Sequence, residues 1–274
     1  MGFGILGSTD LLRTLSMDLS IVIPAYNEAV FLPKTISKIK EALAASQWSG
    51  LSWEIIVCDN NSLDETAAIA QDAGAIIVFE PKQQIASARN TGAAIAKGTW
   101  LLFIDADTYP SAELMGNLFS IIQTDIYIGA GSTVKVEGGA LWNRLRMERL
   151  NPLMRGLNWC GGAFLLCKKE VFDQLEGFSP DLFALEEIEF IIRLRRMAKR
   201  TGKKFTVLYQ HPVVTSGRKG ENTLRSFLTI FFSNTLSFFW LILHLLLPRR
   251  LRIKGNPKYL GFWYNRRNNS KDGS

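Results

Sequence analysis

The sequence predicts an α/β fold: a mostly parallel central sheet flanked by helices, followed by an apolar helical segment toward the C-terminus. Three observations carry this. Four short, near-continuous apolar runs punctuate the first half of the 274 residues, the form taken by strands covered on both faces. Helical patterns lie between them, and the strand-to-strand spacing of roughly 20 to 35 residues is that of βαβ units. A 23-residue stretch near the C-terminus, 226–248, carries no formal charge.

The strands fall at Leu19 to Pro24, Trp53 to Cys58, Ala75 to Phe79 and Trp100 to Ile104, with helices at about 32–46, 63–73 and 84–97. Pro24 lacks a ladder donor and should close the first strand. Ser62 and Glu65 fit the S-x-x-E capping box and should open the second helix. The second half is less regular, with β-like stretches at 126–136 and 158–167, a helix over 184–200 and a strand over 204–209. The expected organisation is an extension over 1–18, one α/β domain over 19–220, an apolar segment over 221–248 and a basic tail over 249–274. Gly2-Phe3-Gly4-Ile5-Leu6-Gly7 matches G-x-G-x-x-G, but only Met1 precedes it, so the strand that a dinucleotide fingerprint needs is missing.

Apolar residues make up 47% and charged ones 21% of the chain, which excludes disordered and collagen-like classes. The net charge of +7 resides in residues 249–274, which hold eight basic side chains and one acid, Asp272; the preceding residues balance. A basic end without a basic domain argues against a nucleic-acid groove and for a polyanionic surface met at one end. Three cysteines, Cys58, Cys160 and Cys167, give neither an even disulfide framework nor a zinc pattern. With no leader at the N-terminus, a reducing, cytoplasmic compartment is expected.

Ligands of open α/β sheets sit beyond the carboxyl ends of the strands. There the sequence places Ala25-Tyr26-Asn27-Glu28, Asp59-Asn60-Asn61-Ser62, Glu80-Pro81-Lys82 and Asp105-Ala106-Asp107. Two carboxylates one residue apart suit a hard divalent cation, Mg2+ or Mn2+, shared with a substrate diphosphate; an Asp capping the next helix is the plainer alternative. Tyr26 offers a ring for a planar base, and Asp59 can accept from a ring N–H.

The segments 21–28, 57–66, Ala88-Arg89-Asn90-Thr91-Gly92 and 103–107, in that order and spacing, resemble the nucleotide-sugar-binding half of the family 2 glycosyltransferases, over roughly residues 19–210. That resemblance implies a GT-A fold and an inverting, metal-dependent transfer from a nucleotide-diphospho-sugar to a hydroxyl acceptor. It implies a donor pocket drawn from Pro24, Ala25, Tyr26, Glu28, Asp59, Asn60, Lys82, Arg89, Asn90, Asp105 and Arg218. Many members carry Asp where this chain has Asn60, which leaves the nucleotide open. Arg89 would orient or offset the D-x-D carboxylates, or form a surface ion pair. Phe183-Ala184-Leu185-Glu186-Glu187-Ile188-Glu189 resembles the segment bearing the catalytic base. Glu187, at the position the family usually fills with Asp, is the first candidate, Glu186 the second and Glu189 the third; clustered carboxylates raise one another's pKa as a base requires, and acids complementing a helix N-terminus are the alternative.

Gly161 and Gly162 resemble the glycine pair that lets an acceptor sugar approach the backbone, although two glycines also mark a strand bulge. His211 to Lys219 reads as a loop closing over the pyrophosphate, with His211 as a further metal ligand beside Asp105 and Asp107. In segment 226–248, Ser226, Thr229, Ser233, Ser237 and His244 draw a polar stripe down one helical face. This favours a segment lying in the cytoplasmic membrane interface, with the basic tail on anionic headgroups, over a full span or a helix packed on protein. A lipid-linked acceptor would fit that placement. A sugar nucleotidyltransferase would need a glycine-rich loop after the first strand, and Pro24 to Glu28 is not one. A catalytically silent, membrane-associated binding module is the third reading.

Overall fold

The computed structural model describes residues 17–46, 50–139, 141–182 and 185–217. The elements are β1 (Met17–Ala25), α1 (Leu32–Ala45), β2 (Trp53–Asp59), α2 (Thr66–Asp72), β3 (Ile76–Phe79), α3 (Ile85–Ile95), β4 (Gly98–Ile104), β5 (Thr108–Tyr109), α4 (Ala112–Ile122), β6 (Tyr127–Glu137), α5 (Leu141–Leu157), β7 (Phe164–Lys168), α6 (Lys169–Gln174), α7 (Glu186–Arg200) and β8 (Lys204–Ser216). Among the described residues the strands form one sheet in the order β3-β2-β1-β4-β7-β6-β8-β5. The expected parallel half, β3-β2-β1-β4, is present. Antiparallel β7 joins it to a second half in which β6 and β8 run parallel.

The continuous apolar runs are explained by residue parity. Ile21, Ile23, Leu102 and Ile104 face one core with α1 and α4, whereas Val22, Leu101 and Phe103 face the other with α3, α6 and α7. Successive side chains point to opposite faces, so a strand covered on both sides must be apolar throughout. In α1, Leu32, Ile36, Ile39 and Leu43 are buried, the spacing of one helical face. At the opposite end of the sheet from the polar loops, Ser20 Oγ donates to Glu54 Oε1 at 2.6 Å and Gly98 N donates to Ser20 Oγ at 2.8 Å. The first, with Lys97 N donating to the same oxygen at 2.7 Å, satisfies the buried Glu54 carboxylate, and the second fills the acceptor side of the hydroxyl.

Several expectations are corrected. β3 is the edge strand, with Ile76 and Phe79 exposed. Pro24 does not end β1, whose pairing with β2 runs on to Ala25; it is the pairing with β4 that stops, at Val22. Ser62 does not cap α2: the helix starts at Thr66, and Ser62 Oγ accepts from Asn27 N at 3.0 Å instead. The β-like stretch at 158–167 is a loop as far as Ala163 and a strand only from Phe164. β8 runs on to Ser216, so His211 belongs to a strand rather than a loop. β1 begins two residues earlier than the expected boundary at 19. The helices α4, α5 and α6 were not anticipated; α5 contains Pro152, and Asn151 beside it bonds both backbone groups of Val134. Segments 221–248 and 249–274, Arg218, and all of the N-terminal extension up to residue 16 lie outside the described residues. Among the described residues no helix is long and apolar enough to cross a membrane.

Gly98 marks the tightest backbone approach in this half of the sheet, since a Cβ there would meet Ser20 N at 2.4 Å. Gly98→Ala is expected to lower stability by about 1–3 kcal/mol, as overpacking does, seen as a lower urea midpoint with an unchanged m-value.

Candidate active site

The polar loops gather, as expected, beyond the carboxyl ends of β1, β2, β3 and β4. Backbone bonds fix their relative positions: Asn60 N donates to Ala25 O at 2.8 Å and Glu80 N to Asp59 O at 2.9 Å. The turn after β4 is pinned from three sides. Asp105 N donates to Ala163 O, Thr35 Oγ1 of α1 donates to Ala106 O at 2.6 Å, and Ser216 N donates to Asp107 O at 3.0 Å.

Arg89 is the centre of the site. It lies on α3, which approaches β1 closely because Gly92, one turn on, has no Cβ; one would sit 2.5 Å from Val22 Cγ1. The buried guanidinium donates through Nη2 to Asp105 Oδ1 at 3.1 Å and through Nη1 to Glu186 Oε1 at 2.8 Å. Gly162 makes room for it, since a Cβ at that position would meet Nη2 at 2.6 Å. Arg89 therefore forms no surface pair; it joins the D-x-D turn to the first turn of α7, 97 residues away in sequence.

The three candidate bases are separated by their partners. Glu186 is buried and paired with Arg89. Glu189 is buried and paired with Arg193, Nη2 to Oε2 at 2.6 Å. Glu187, only part-buried, has no such partner in the described residues, and its carboxyl is pushed up from an ordinary 4.5 to about 8. Desolvation is the leading cause and the Glu186 charge the next, with Arg89 opposing. Burial raises the Cys160 thiol and the Glu187 charge adds to that rise, which sets the Glu187 carboxyl near the Cys160-Gly161-Gly162 loop. At Gly161 a Cβ would meet nothing within 4 Å, so that side of the loop is open.

Other candidates serve the scaffold. Asn90 Nδ2 donates to Phe178 O at 2.8 Å and its Oδ1 accepts from Phe178 N at 2.9 Å, which occupies both ends of the amide with the loop before α7 rather than with a donor pocket. Asn60 Nδ2 donates to Glu80 O and Lys82 O, holding the β3–α3 loop. Tyr26 is 2% exposed, so its ring presents no open face for a base. Pro24, Ala25 and Glu28 are likewise buried. Asp59 is nearly buried and its Oδ1 accepts from Ser62 N at 3.1 Å, while Lys82 is exposed and its N donates to Glu80 Oε1 at 2.9 Å. His211 lies in the β8 bulge opposite Thr133, with Glu113 of α4 as its electrostatic neighbour. It lies four positions before Thr215, the strand partner of Thr108 just past the D-x-D turn, and does not join Asp105 and Asp107 in a metal-ligating cluster.

Sequence reading missed Gln84. It is 1% exposed, and its Nε2 donates to Pro180 O at 2.8 Å and Leu182 O at 2.9 Å. With Asn90, and with Arg193 bonding Gly177 O at 2.8 Å, it clamps the chain that leads into Glu186 and Glu187. Leu185, the residue before them, is left-handed at φ 61°, a conformation a branched side chain adopts only when its surroundings impose it. The one local signal for Gln84 is its place just ahead of a helix; nothing local points to carbonyls nearly 100 residues on.

Among the described residues no cluster of three or more His, Cys, Asp or Glu side chains is assembled for a metal. The donor set nevertheless fits a hard cation that brings its remaining ligands from substrate. Asp105 is 21% exposed with only Oδ1 engaged by Arg89, and carboxylate oxygens are the ligands such ions take. Asp107 is 1% exposed, so of the pair it is Asp105 that opens outward.

Residues 20–184 match the family described as glycosyl transferase family 2. The chain belongs to that family. It is 26% identical over 271 residues to a dolichol-phosphate mannosyltransferase of Pyrococcus furiosus, covering 86% of this chain and 76% of that protein. It is 27% identical over 186 residues to an uncharacterized glycosyltransferase of Haemophilus influenzae, covering 64% of this chain and spanning 61% of that protein's length. Among solved structures, the mannosyltransferase PcManGT of Pyrobaculum calidifontis, in complex with GDP-Man and Mn2+, superposes with a TM-score of 0.59 at 17% identity, covering 83% of this chain and 64% of that one. Glucosyl-3-phosphoglycerate synthase of Mycobacterium tuberculosis, with Mn2+ and UDP, does so with a TM-score of 0.56 at 18% identity, covering 88% and 85%. At those identities the likeness speaks for the fold, which is the expected GT-A type.

Two outcomes follow from the buried charges. Arg89→Met leaves Glu186 and Asp105 without their cation and should cost about 3–5 kcal/mol in urea unfolding, the range for breaking a buried pair; a surface pair would cost under about 1 kcal/mol. Glu187→Gln should do the opposite. A carboxyl whose pKa is higher folded than unfolded supports the fold fully below its ordinary value of 4.5, and that support is lost as pH rises through about 8. The variant's melting temperature should therefore match wild type near pH 4 and exceed it above pH 8.

Proposed function

We propose that the protein is an inverting glycosyltransferase that moves a sugar from a nucleotide-diphospho-sugar to an acceptor hydroxyl. The observation that carries this reading is the division of labour around Arg89: a partly open carboxylate, Asp105, on one side of the guanidinium, and beyond Glu186 on the other side a carboxyl, Glu187, poised near neutrality. Asp59 and Lys82 border the donor's nucleotide end. Asp105, with Asp107, would hold Mn2+ or Mg2+ against the diphosphate; the bound ion offsets charge that develops on the leaving group. Complexes of the structural neighbours with Mn2+ and GDP-Man or UDP support this choice of donor and metal.

Glu187 takes the acceptor proton as the hydroxyl oxygen attacks the anomeric carbon from the face opposite the leaving diphosphate. A base works best with a pKa near the working pH, and desolvation supplies that shift. The bare backbone at Gly161 leaves room for the acceptor at Glu187. Arg89 and Gln84 fix the two halves relative to each other, and holding donor and acceptor in line removes part of the entropic barrier. Arg218 and the segment after β8 would cover the diphosphate.

The acceptor we favour is lipid-linked, met at the cytoplasmic face of the membrane, where segment 226–248 would lie in the interface and the basic tail would rest on anionic headgroups. Support comes from the uncharged 23 residues of that segment and from the Pyrococcus relative, whose name carries a lipid-phosphate acceptor.

The test is a transfer assay with radiolabelled GDP- and UDP-sugars, Mn2+ and membrane lipid extract. Asp105→Asn should reduce transfer by about 10²-fold or more, the scale of losing a transition-state charge partner, with an unchanged circular dichroism spectrum. Glu187→Gln should keep donor affinity and lose turnover, and the acidic limb of wild-type kcat/KM should fall well above the ordinary carboxylate range. Wild-type turnover in Glu187→Gln would assign the base elsewhere.

A further inference from the structure

A second charged feature lies at the opposite edge of the sheet from the carboxylates. β6 runs in the same direction as β4, because each is antiparallel to β7, so the amino ends of β6 and β8 lie away from the donor edge. The two strands start paired at Tyr127 and Lys204, and their register slips before Gly129. α7 packs tightly there, since a Cβ on Gly129 would come within 2.9 Å of Leu194 and 2.7 Å of Leu166 O. The last two turns of α7 thus flank the strand starts and border an open pocket of about 350 Å3, lined among others by Tyr127, Asn158, Arg195, Lys199, Lys203 and Lys204.

Four of those side chains are cations and no carboxylate lines the cavity. The acid alongside, Asp125, is shared between Lys203 at 2.5 Å and Lys168 at 2.9 Å, and the two ammonium groups hold its carboxyl down at about 2. Among the described residues, the side chains of Arg195, Lys199 and Lys204 make no hydrogen bond or ion pair, although Lys204 N donates to Ile126 O at 2.9 Å. Complementing the helix dipole accounts for Lys199 and Arg200 in the last turn of α7. It does not account for Arg195, which lies mid-helix, or for Lys204 on the strand. Asn158 holds one wall through Nδ2 to Phe205 O at 2.7 Å. Unpaired like charges around one cavity repel each other unless an anion enters, and a guanidinium fork with ammonium groups is the set that best receives phosphate oxygens.

We propose that this cavity binds a phosphate-bearing ligand, at a site separate from the donor edge and independent of the transfer reaction. The shared chemistry is a phosphate group, delivered either as a free phosphomonoester or as a lipid headgroup. The experiment is hydrogen–deuterium exchange of the full chain with inorganic phosphate in one arm and, in another, vesicles of 30% phosphatidylglycerol in phosphatidylcholine, with pure phosphatidylcholine as reference. Peptides within 195–206 should exchange roughly tenfold more slowly at ten times the apparent dissociation constant. That protection should be lost in Arg195→Gln and in Lys199→Gln/Lys204→Gln; the double variant alters exposed side chains only and keeps the test valid if Arg195→Gln destabilises the helix. Slowing by inorganic phosphate assigns a soluble ligand, and slowing by the anionic vesicles alone assigns a headgroup. No slowing in either arm, or slowing that persists in both variants, overturns the proposal. Peptides spanning 80–90 report phosphate at the donor edge separately, so the loss of one site is not mistaken for the loss of the other.

Discussion

The site depends on one buried cation with two anions. Arg89 lies with almost no exposed surface between Asp105 and Glu186, and its Nε has no partner among the described residues. A guanidinium in that position would be untenable with no carboxylate beside it, and the buried Glu186 would be costly without it. The arrangement fixes a distance that neither chain segment could fix alone: β4 brings Asp105 to the sheet edge, α7 begins at Glu186, and a rigid fork spans the gap. Everything about α3 serves that placement. Its small residues let the helix lie close to β1, and Gln84 and Asn90, flanking Arg89, tie down the loop that delivers α7.

From that constraint the base emerges by subtraction. Three acids open α7, and carboxylates at a helix N-terminus are ordinarily stabilised in their charged form. Here two of them are neutralised by dedicated arginines, Arg89 for Glu186 and Arg193 for Glu189. Glu187 is left to bear both desolvation and the nearby Glu186 charge. The like-charge repulsion expected from three adjacent acids is therefore present but secondary, and removal from water does most of the work. The same logic explains a design that would otherwise be wasteful: pairing two of three acids allows a crowded acidic turn to fold while one member keeps its proton to higher pH.

The polar edge of the sheet was legible because local pattern encodes it. Short apolar runs followed at once by Asp, Asn or Glu fix both the strands and the end at which ligands gather, and the family resemblance selected Glu187 ahead of its neighbours. Contacts between distant segments were not legible. Nothing local in Gln84 announces that it will satisfy carbonyls at 180 and 182, and nothing in Asn90 distinguishes an amide facing substrate from one bonded to Phe178. Both belong to loops whose backbone groups must find partners once buried, and that demand is set by the tertiary structure. His211 failed for a related reason. A strand with a bulge carries its polar residues past the expected turn, and the apolar pattern of 204–209 did not reveal that pairing with β6 would resume at Val213.

The two edges of the sheet place opposite charge at opposite ends of the molecule. Carboxylates gather where β1, β2 and β4 end, offset by one buried arginine, and unpaired cations gather where β6 and β8 begin. The described domain is therefore polarised along its strands although the charge of the residues before 249 balances overall. α7 runs through both regions, with acids at its start and basic groups at its end, aligned with its own dipole. At 15 residues the helix is about 20 Å long, so the two groups of charge are held apart and neither neutralises the other. Close packing of Leu194 over the bare backbone of Gly129, between the two ends, seats the helix on the sheet and so fixes where each group of charge stands.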